Sequence, residues 1–336
     1  MFLKKAFLAL GLCALLAAPA PALAAEPVTL KFSHVNAENA WSTVNGLIPW
    51  LQKVEEDSHG TLKMELYANN TLTKDNQAWM AVRNGIADMA WLPMGRYPGM
   101  NPLLEVIGLG GLAYEDAMGA TERVWNILDT VPAAMKPFAA NRLIALYSTD
   151  TAFLLTKKPV RSLEDLKGMK IRCTSVYVNS LKALGAVPVV LGMPDVYMSL
   201  QKSVIDGLIC DWESVSGFRL YDEAKYATTN VPLGMVTFCI AMNQRAYNKL
   251  PQEAQQAIDA NSGRAGSLWL AKRFSYDSRN LQPEITPHLK EVIELSDAER
   301  TRWSELVGRP LWNQWLEDMN RKGLKDAQTV LDCMTK

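Results

Sequence analysis

The chain has 336 residues, 49% of them hydrophobic, and its 35 lysines and arginines balance 35 aspartates and glutamates. This length and composition allow two globular domains. A net charge of zero without a basic run argues against nucleic acid as a partner.

The first residues carry an export signal. A basic start with Lys4 and Lys5 precedes an apolar run over 6–18 and a small-residue cleavage signal that ends at Ala24. The run is shorter than a membrane-spanning helix, which needs about 20 apolar residues. The sequence therefore predicts a signal peptide over 1–24, removed on export to the periplasm.

Strands and helices alternate in the first half of the chain. "VTLKFSHV" and "TLKMELYA" alternate with period two and predict strands, with a helix over about 40–57 between them. "KDNQAWMAVRNG" predicts a helix that stops at Gly85, and "ADMAWL" a short buried strand. This alternation indicates a parallel α/β sheet.

The pattern restarts after a long strand-like run, "LIALYSTDTAFLLTKK". "SLEDLKG" predicts a helical turn with Ser162 as N-cap, and strands follow in "MKIRC", "VPVVL" and "LICDW". Helices are predicted over about 176–184 and in "PDVYMSLQKSVIDG", the second ending at Gly207. "MVTFCIAMN" is again strand-like, and the chain from Pro251 onward is mostly helical.

The sequence thus predicts two α/β lobes joined by strands. We assign 25–148 to the first lobe, completed by about 237–275, and 149–236 to the second lobe, completed by about 276–336. Lobes joined by strands rather than by a flexible linker indicate a hinge with a cleft between the lobes.

Motifs for enzyme chemistry are missing from the sequence. It has no G-x-S-x-G elbow, phosphate loop, H-E-x-x-H or dinucleotide fingerprint, and the histidines are far apart. The cysteines after the signal peptide fit no zinc spacing, so we expect no metal and no cofactor. Buried free thiols are favoured, although export permits a disulfide. These cysteines are Cys173, Cys210, Cys239 and Cys333.

Arg172 lies at the end of the strand "MKIRC", on the same face as Lys170. A solvated polar face accounts for both side chains. However, ligands of α/β sheets bind beyond the carboxyl ends of strands, and Thr174 or Ser175 begins a helix whose N-terminus favours anions. A guanidinium there matches a carboxylate in two hydrogen bonds. From the residues alone, both readings of Arg172 stay open.

Two long segments resemble a known family. "KKPVRSLEDLKGMKIR" followed by "ALGAVPVVLGMPDVYMSLQKSVIDG" resembles the solute-binding proteins of tripartite ATP-independent periplasmic (TRAP) transporters, of the dicarboxylate-binding DctP type. "NNTLTKDNQAWMAVRNGIADMA" and "AMNQRAYNKLP" are similar to further segments of that family. The resemblance implies a two-lobe periplasmic binding protein with a Venus-flytrap α/β fold, hinge strands and C-terminal helices.

The resemblance also implies roles for individual residues. The arginine that closes the "KIR" segment pairs with the ligand carboxylate in this family, which here is Arg172. Cys210 stands where many members have a ligand-contacting asparagine, so we expect Trp212 and Glu213 to replace that contact. Arg96 falls where some members place another ligand-facing arginine.

Other candidates lie beside these positions. Ala152 stands where sialic-acid-type members carry a second arginine, which argues against a large polyhydroxylated ligand; Thr151 beside it is a candidate contact. Ser175 could bond the carboxylate or cap its helix. By the strand-end rule, further candidates are His34, Asn36 and Trp91. Trp41, Trp91 and Trp212, all near strand ends, suggest an apolar or aromatic acid.

We therefore expect a receptor that captures a small organic acid, closes around it and delivers it to a TRAP permease. One alternative is a periplasmic enzyme acting on an organic acid in the same cleft. Another is a ligand-sensing subunit of a signalling system. The sequence leaves the ligand open among dicarboxylates, keto acids, aromatic acids and sulfonates.

Overall fold

The computed structural model of the protein describes residues 26–112 and 116–335, so the predicted signal peptide lies outside the described residues. Eleven strands lie within these ranges: β1 (Val28–Ser33), β2 (Leu62–Tyr67), β3 (Met89–Pro93), β4 (Arg142–Ser148), β5 (Phe153–Thr156), β6 (Lys170–Cys173), β7 (Val187–Val190), β8 (Gly207–Cys210), β9 (Tyr226–Thr229), β10 (Thr237–Met242) and β11 (Glu291–Glu294). None of the helices described is long and apolar enough to span a membrane.

Fifteen α-helices pack around these strands within the described ranges. They are α1 (Ile48–Asp57), α2 (Ala78–Asn84), α3 (Ala117–Thr130), α4 (Pro132–Met135), α5 (Leu163–Leu166), α6 (Val178–Ala183), α7 (Val196–Gln201), α8 (Trp212–Gly217), α9 (Gln244–Asn248), α10 (Gln252–Ala260), α11 (Gly263–Leu270), α12 (Gln282–Ile285), α13 (Asp297–Val307), α14 (Arg309–Arg321) and α15 (Ala327–Thr335).

The strands form two separate mixed sheets, one in each lobe. The first has the order β2-β1-β3-β10-β4, and the second has the order β11-β9-β5-β8-β6-β7. The strands β1, β2 and β3 pair in parallel as expected. Both sheets are nevertheless mixed, because β10 runs antiparallel to β3 and β4, and β5 runs antiparallel to β8 and β9. These antiparallel strands are the ones that carry the chain from one lobe to the other.

Two of the predicted elements begin or end at residues other than those expected from the sequence. The long strand-like run is divided between β4 and β5, which belong to different sheets. The helix expected to end at Gly207 ends at Gln201, and the chain then turns through Ser203, whose φ is 55°. Gly207 instead begins β8, where a Cβ would meet the carbonyl oxygen of Leu155 at 2.6 Å, so a residue without a side chain is needed there.

Two short segments form the predicted hinge. Residues 149–152 lead from β4 to β5, and residues 230–236 lead from β9 back to β10. The segments are hydrogen-bonded to each other: the Thr149 amide donates to the carbonyl of Val236 at 2.8 Å, and the Val236 amide donates to Thr149 Oγ1 at 3.1 Å. The two crossings are therefore fastened to each other at this point.

A third crossing is helical. After α11 the backbone changes to a π-helical turn over Ala271–Ser275 and then to a 3₁₀ stretch over Tyr276–Leu281. Phe274 packs in the core of the first lobe, whereas Leu281 packs in the second. Irregular helical turns of this kind often mark hinges.

The C-terminal helices are shared between the lobes. Trp303 and Val307 of α13 belong to the core of the second lobe, but Trp315 of α14 and Val330 of α15 pack in the core of the first lobe. The assignment of 276–336 as a whole to the second lobe is therefore corrected. The start of α14 still contacts the second lobe through Leu311, whereas the rest of its apolar face and that of α15 pack against the first lobe. Trp315 there also donates to the carbonyl of Pro102.

The glycine-rich stretch "GLGGL" allows close backbone packing at the joint between the lobes. A Cβ on Gly108 would collide with Val176 of the second lobe. A Cβ on Gly234, in the second crossing segment, would lie 2.7 Å from the Cα of Gly108.

We predict that Gly234→Ala destabilises the protein by about 1–3 kcal/mol, because the new methyl group meets backbone that cannot rotate away. Gly119→Ala is the control: Gly119 is exposed in α3, and a Cβ there meets only a carboxylate oxygen at 3.8 Å. This change should stabilise the helix by roughly 0.4–1 kcal/mol. Urea unfolding of both variants measures the difference; equal stabilities would contradict the packing described.

Candidate functional site

A cavity of about 90 Å³ lies between the two lobes. Pockets for drug-sized ligands measure roughly 300–1,000 Å³, so this one suits a small ligand. The residues that line it come from strand ends in both sheets and from the two crossing segments. They are Val35, Asn36, Asp75, Trp91, Pro93, Arg96, Thr149, Asp150, Ala152, Arg172, Thr174, Tyr177, Met193, Ile209, Cys210, Asp211, Glu213, Ser214, Phe218, Val236 and Phe238.

Arg172 is the central cation of the cavity. It lies in β6 beside Leu208 of β8 and Val189 of β7, and only 5% of the residue is exposed. Its Nε donates to the carbonyl of Leu191 at 2.9 Å, and it forms no salt bridge with any described residue. Burial lowers the pKa of Arg172 to about 10, so the guanidinium is charged at neutral pH while its charge is poorly solvated.

Arg96, the second arginine of the cavity, already has a partner. Its Nε donates to Asp75 Oδ2 at 2.7 Å, and both side chains are largely buried. The pair belongs to the first lobe, and its atoms reach Gly192 of the second lobe, where a Cβ would lie 3.0 Å from Asp75 Oδ2. The charge of Arg96 is thus matched within the protein, in contrast to that of Arg172.

Two acids lie beyond the end of β8. Asp211 is the N-cap of α8 and accepts from the amide of Ser214 at 2.8 Å. Glu213 accepts from Ser42 Oγ at 2.6 Å, a contact between the two lobes. Burial raises the pKa of Asp211. Burial and the neighbouring Asp211 raise the pKa of Glu213 to about 7.

The rest of the wall is mainly apolar and aromatic. The Trp91 indole is fixed by a hydrogen bond from Nε1 to the Tyr147 hydroxyl (2.7 Å) and by stacking on Phe274, with ring centroids 5.3 Å apart. Phe238 packs against Trp91 at 4.5 Å. From the second lobe, Tyr177 is held by its hydroxyl, which donates to the carbonyl of Gly234 at 2.9 Å. A rigid aromatic wall of this kind suits a flat apolar ligand.

The structure places most of the predicted site residues around this one cavity: Arg172, Arg96, Asn36, Trp91, Cys210 and Glu213. Their contact with a ligand stays a prediction. Asn36 Nδ2 donates to Ser42 Oγ at 3.2 Å, and Ser42 in turn donates to Glu213. The three side chains thus form one chain of hydrogen bonds between the lobes.

Four predicted residues do not line the cavity. His34 is buried with Nε2 2.9 Å from Thr43 Oγ1, and burial lowers its pKa to about 3, so the ring is neutral. Ser175 Oγ donates to the carbonyl of Gly95 in the first lobe at 2.9 Å. Thr151 and Trp212 line a second cavity on the hinge side, which shares a wall with the first; that wall consists of Asp150, Ala152 and Asp211.

Sequence reasoning missed several wall residues. Asp211 follows β8 directly, so the strand-end rule could have found it. Tyr177, Met193 and Phe238 carry no polar motif and come from three separate elements. Only tertiary folding brings them together.

The described residues show no metal-binding cluster of histidine, cysteine and acidic side chains. The four cysteines left open by the sequence are free thiols, and three of them are buried. Burial raises the pKa of Cys173 to about 11 and raises those of Cys210 and Cys239 further. Such thiols act as small apolar residues.

Two α/β lobes, linked by several chain crossings around a small cavity, define a two-lobe solute-binding protein. The chain belongs to the DctP family, described as bacterial extracellular solute-binding protein, family 7, whose model matches residues 32–318. This is a family of TRAP solute receptors without catalytic activity. The resemblance and the two-lobe fold inferred from the sequence are thereby confirmed.

Two similar proteins of known structure and one sequence relative support this assignment. A TRAP solute-binding protein from a marine metagenome, specific for aromatic acid ligands and crystallised with 3-hydroxybenzoate, is 28% identical with a TM-score of 0.86, covering 92% of this chain and 97% of that chain. A TRAP protein from Rhodoferax ferrireducens with copurified benzoate is 27% identical with a TM-score of 0.85, covering 92% and 96%. The C4-dicarboxylate-binding protein DctP of Rhodobacter capsulatus is 25% identical over 302 residues, 87% of each chain.

The raised pKa of Glu213 predicts a pH effect on stability. The folded protein holds this proton up to about pH 7, whereas the unfolded chain releases it near 4.5. The contribution of Glu213 to the free energy of unfolding therefore falls as the pH rises from 4.5 to about 7. We expect Glu213→Gln to gain stability relative to the wild type between pH 5 and pH 8, by on the order of 2–3 kcal/mol.

Urea unfolding of both proteins at each pH measures this difference. The lowered pKa of His34 acts in the opposite direction, because the unfolded chain gains a proton below pH 6.5. Comparing variant with wild type at the same pH cancels that contribution. A difference that stays constant from pH 5 to pH 8 would contradict the pKa shift of Glu213.

Proposed function

We propose that this protein is an extracytoplasmic receptor that captures a small aromatic monocarboxylic acid in the cavity between its lobes, with Arg172 as the carboxylate anchor. It delivers the acid to the membrane permease of a TRAP transporter. The observation that carries the proposal is the buried guanidinium of Arg172, which forms no salt bridge with the described residues.

The proposal follows from the cost of burying a charge. A guanidinium removed from water is unfavourable unless an anion pairs with it and fills its hydrogen-bond donors. Leu191 accepts only from Nε, which leaves the two terminal nitrogens for a ligand. A carboxylate binds such a planar fork in two parallel hydrogen bonds. The ligand thus supplies the salt-bridge partner that Arg172 lacks among the described residues.

The aromatic part of the proposal rests on the wall of the cavity. Trp91, Phe238 and Tyr177 present rigid ring surfaces around a volume that suits a small molecule. Two similar structures hold benzoate or 3-hydroxybenzoate. A C4-dicarboxylate, as in the name of the R. capsulatus relative, needs partners for two carboxylates, but Arg96 is already paired with Asp75.

The permease is implied by the family, since TRAP receptors serve membrane transporters. The ligand stabilises the form in which the lobes touch, because it contacts residues of both. Family membership argues against the enzyme alternative. A sensory role differs only in the membrane partner, so loss of ligand uptake on deletion of the gene separates transport from sensing.

We predict that Arg172→Ala weakens binding of benzoate or 3-hydroxybenzoate by about 2–5 kcal/mol, or roughly 30- to several-thousand-fold. Arg172→Lys should recover only part of this loss, because an ammonium cannot form the planar fork. Lys170→Ala is the matched control, since Lys170 is in the same strand but exposed. Calorimetric titration tests all three, and wild-type affinity in Arg172→Ala would refute the anchor.

Tryptophan fluorescence provides a second test. Trp91 lines the cavity, whereas Trp212 packs on Phe153 in the core with ring centroids 4.3 Å apart. We expect the bound aromatic acid to change the emission of the wild type and of Trp212→Phe, and this change to be largely lost in Trp91→Phe. An undiminished change in Trp91→Phe would place the ligand elsewhere.

A further inference from the structure

The cavity is also lined by acidic residues that lie apart from Arg172. Among the charged residues that line it, Arg96 is paired with Asp75, and Asp150 is paired with Arg279, which donates from Nη2 to Asp150 Oδ1 at 2.6 Å. The lining charges without a salt bridge are then Arg172, Asp211 and Glu213. One cation and two acids therefore remain to face a ligand.

The cation and the acids are separated along the sheet. Arg172 is level with Leu208 in the neighbouring strand β8, and Asp211 lies three residues further along. At about 3.3 Å per residue, the backbone of Asp211 is roughly 10 Å beyond the level of Arg172. Glu213 lies in the first turn of α8, next to Asp211. A ligand anchored on Arg172 thus extends toward the acids.

The acids keep hydrogen-bond capacity for a ligand. A carboxylate has about four acceptor sites, and the described residues fill only part of them, through Ser214 at Asp211 and Ser42 at Glu213. Glu213 is 95% buried, since its exposed fraction is 5%, so bulk water is largely excluded from the remaining sites. Buried acceptors without a donor are unfavourable.

We infer that Asp211 and Glu213 form a specificity end that selects monocarboxylic acids carrying a hydroxyl group on the side of the ring away from the carboxylate. This inference rests on the proposed function. A ligand hydroxyl donates a hydrogen bond to the acids, and hydrogen bonds to charged groups are the stronger kind. A second carboxylate at that end meets two acids of the same sign and is rejected.

The test is calorimetric titration at pH 8, where Glu213 is mostly ionised, with benzoate, 3-hydroxybenzoate, 4-hydroxybenzoate and isophthalate. We expect at least one hydroxybenzoate to bind about 10- to 100-fold more tightly than benzoate, and isophthalate to bind more weakly than benzoate. The variants are Glu213→Gln and Asp211→Asn; both keep the side-chain shape, and asparagine also serves as an N-cap.

In one or both of these variants, the preference for the hydroxybenzoate should shrink to less than threefold. Glu305→Gln, which removes an exposed charge on α13, should keep the full preference. The inference is overturned if benzoate binds as tightly as both hydroxybenzoates, if isophthalate binds as tightly as benzoate, or if both variants retain the preference.

The result also separates this inference from the proposed function. Benzoate binding that depends on Arg172, without a preference for the hydroxyl group, leaves the proposed function intact and refutes only the specificity end. If none of the four acids binds to the wild type, the proposed function fails and this inference fails with it.

Discussion

Arg172 is a charged group that the fold removes from water without providing a salt-bridge partner among the described residues. Several features of the molecule hold this buried charge in position. The neighbouring strands β7 and β8 hold β6 inside the second sheet, and the carbonyl of Leu191 fixes the guanidinium through Nε. The Arg96–Asp75 pair is neutral as a unit and therefore does not offset the charge of Arg172. The buried charge of Arg172 therefore favours an anion in the cavity before any ligand binds.

Contacts between the lobes link this electrostatic state to the shape of the molecule. Ser42 donates to Glu213 across the cleft, and Ser175 donates to the carbonyl of Gly95 on the opposite side of the joint. These two hydrogen bonds stabilise the form in which the lobes touch, but they do not offset the buried charge of Arg172. In the proposed complex a bound anion does both, because it pairs with Arg172 and contacts the walls of the two lobes. Ligand affinity and closure of the two lobes are therefore coupled in one equilibrium.

The sequence predicted the features that follow from local rules. The two lobes, the strand that ends at Arg172 and the capping box of Ser162 and Asp165 all have short-range signals. The Ser42–Glu213 contact joins residues that are distant in the chain, so no local pattern indicates it. Trp212 was expected beside Glu213 in the site, but successive helix residues point about 100° apart, and Trp212 turns into the core. The missed aromatic wall likewise depends on tertiary packing.

The strand order of the first sheet has a consequence for how the chain folds. β10 lies between β3 and β4, although it follows the whole of the segment that builds most of the second lobe. Until residues 237–242 are in place, β3 has one unpaired edge and β4 has no neighbouring strand in the sheet. Long-range pairings of this kind form slowly. The second lobe is more local in sequence and can assemble first. A partly folded intermediate with the open edges of β3 and β4 is therefore the form of this protein most exposed to aggregation.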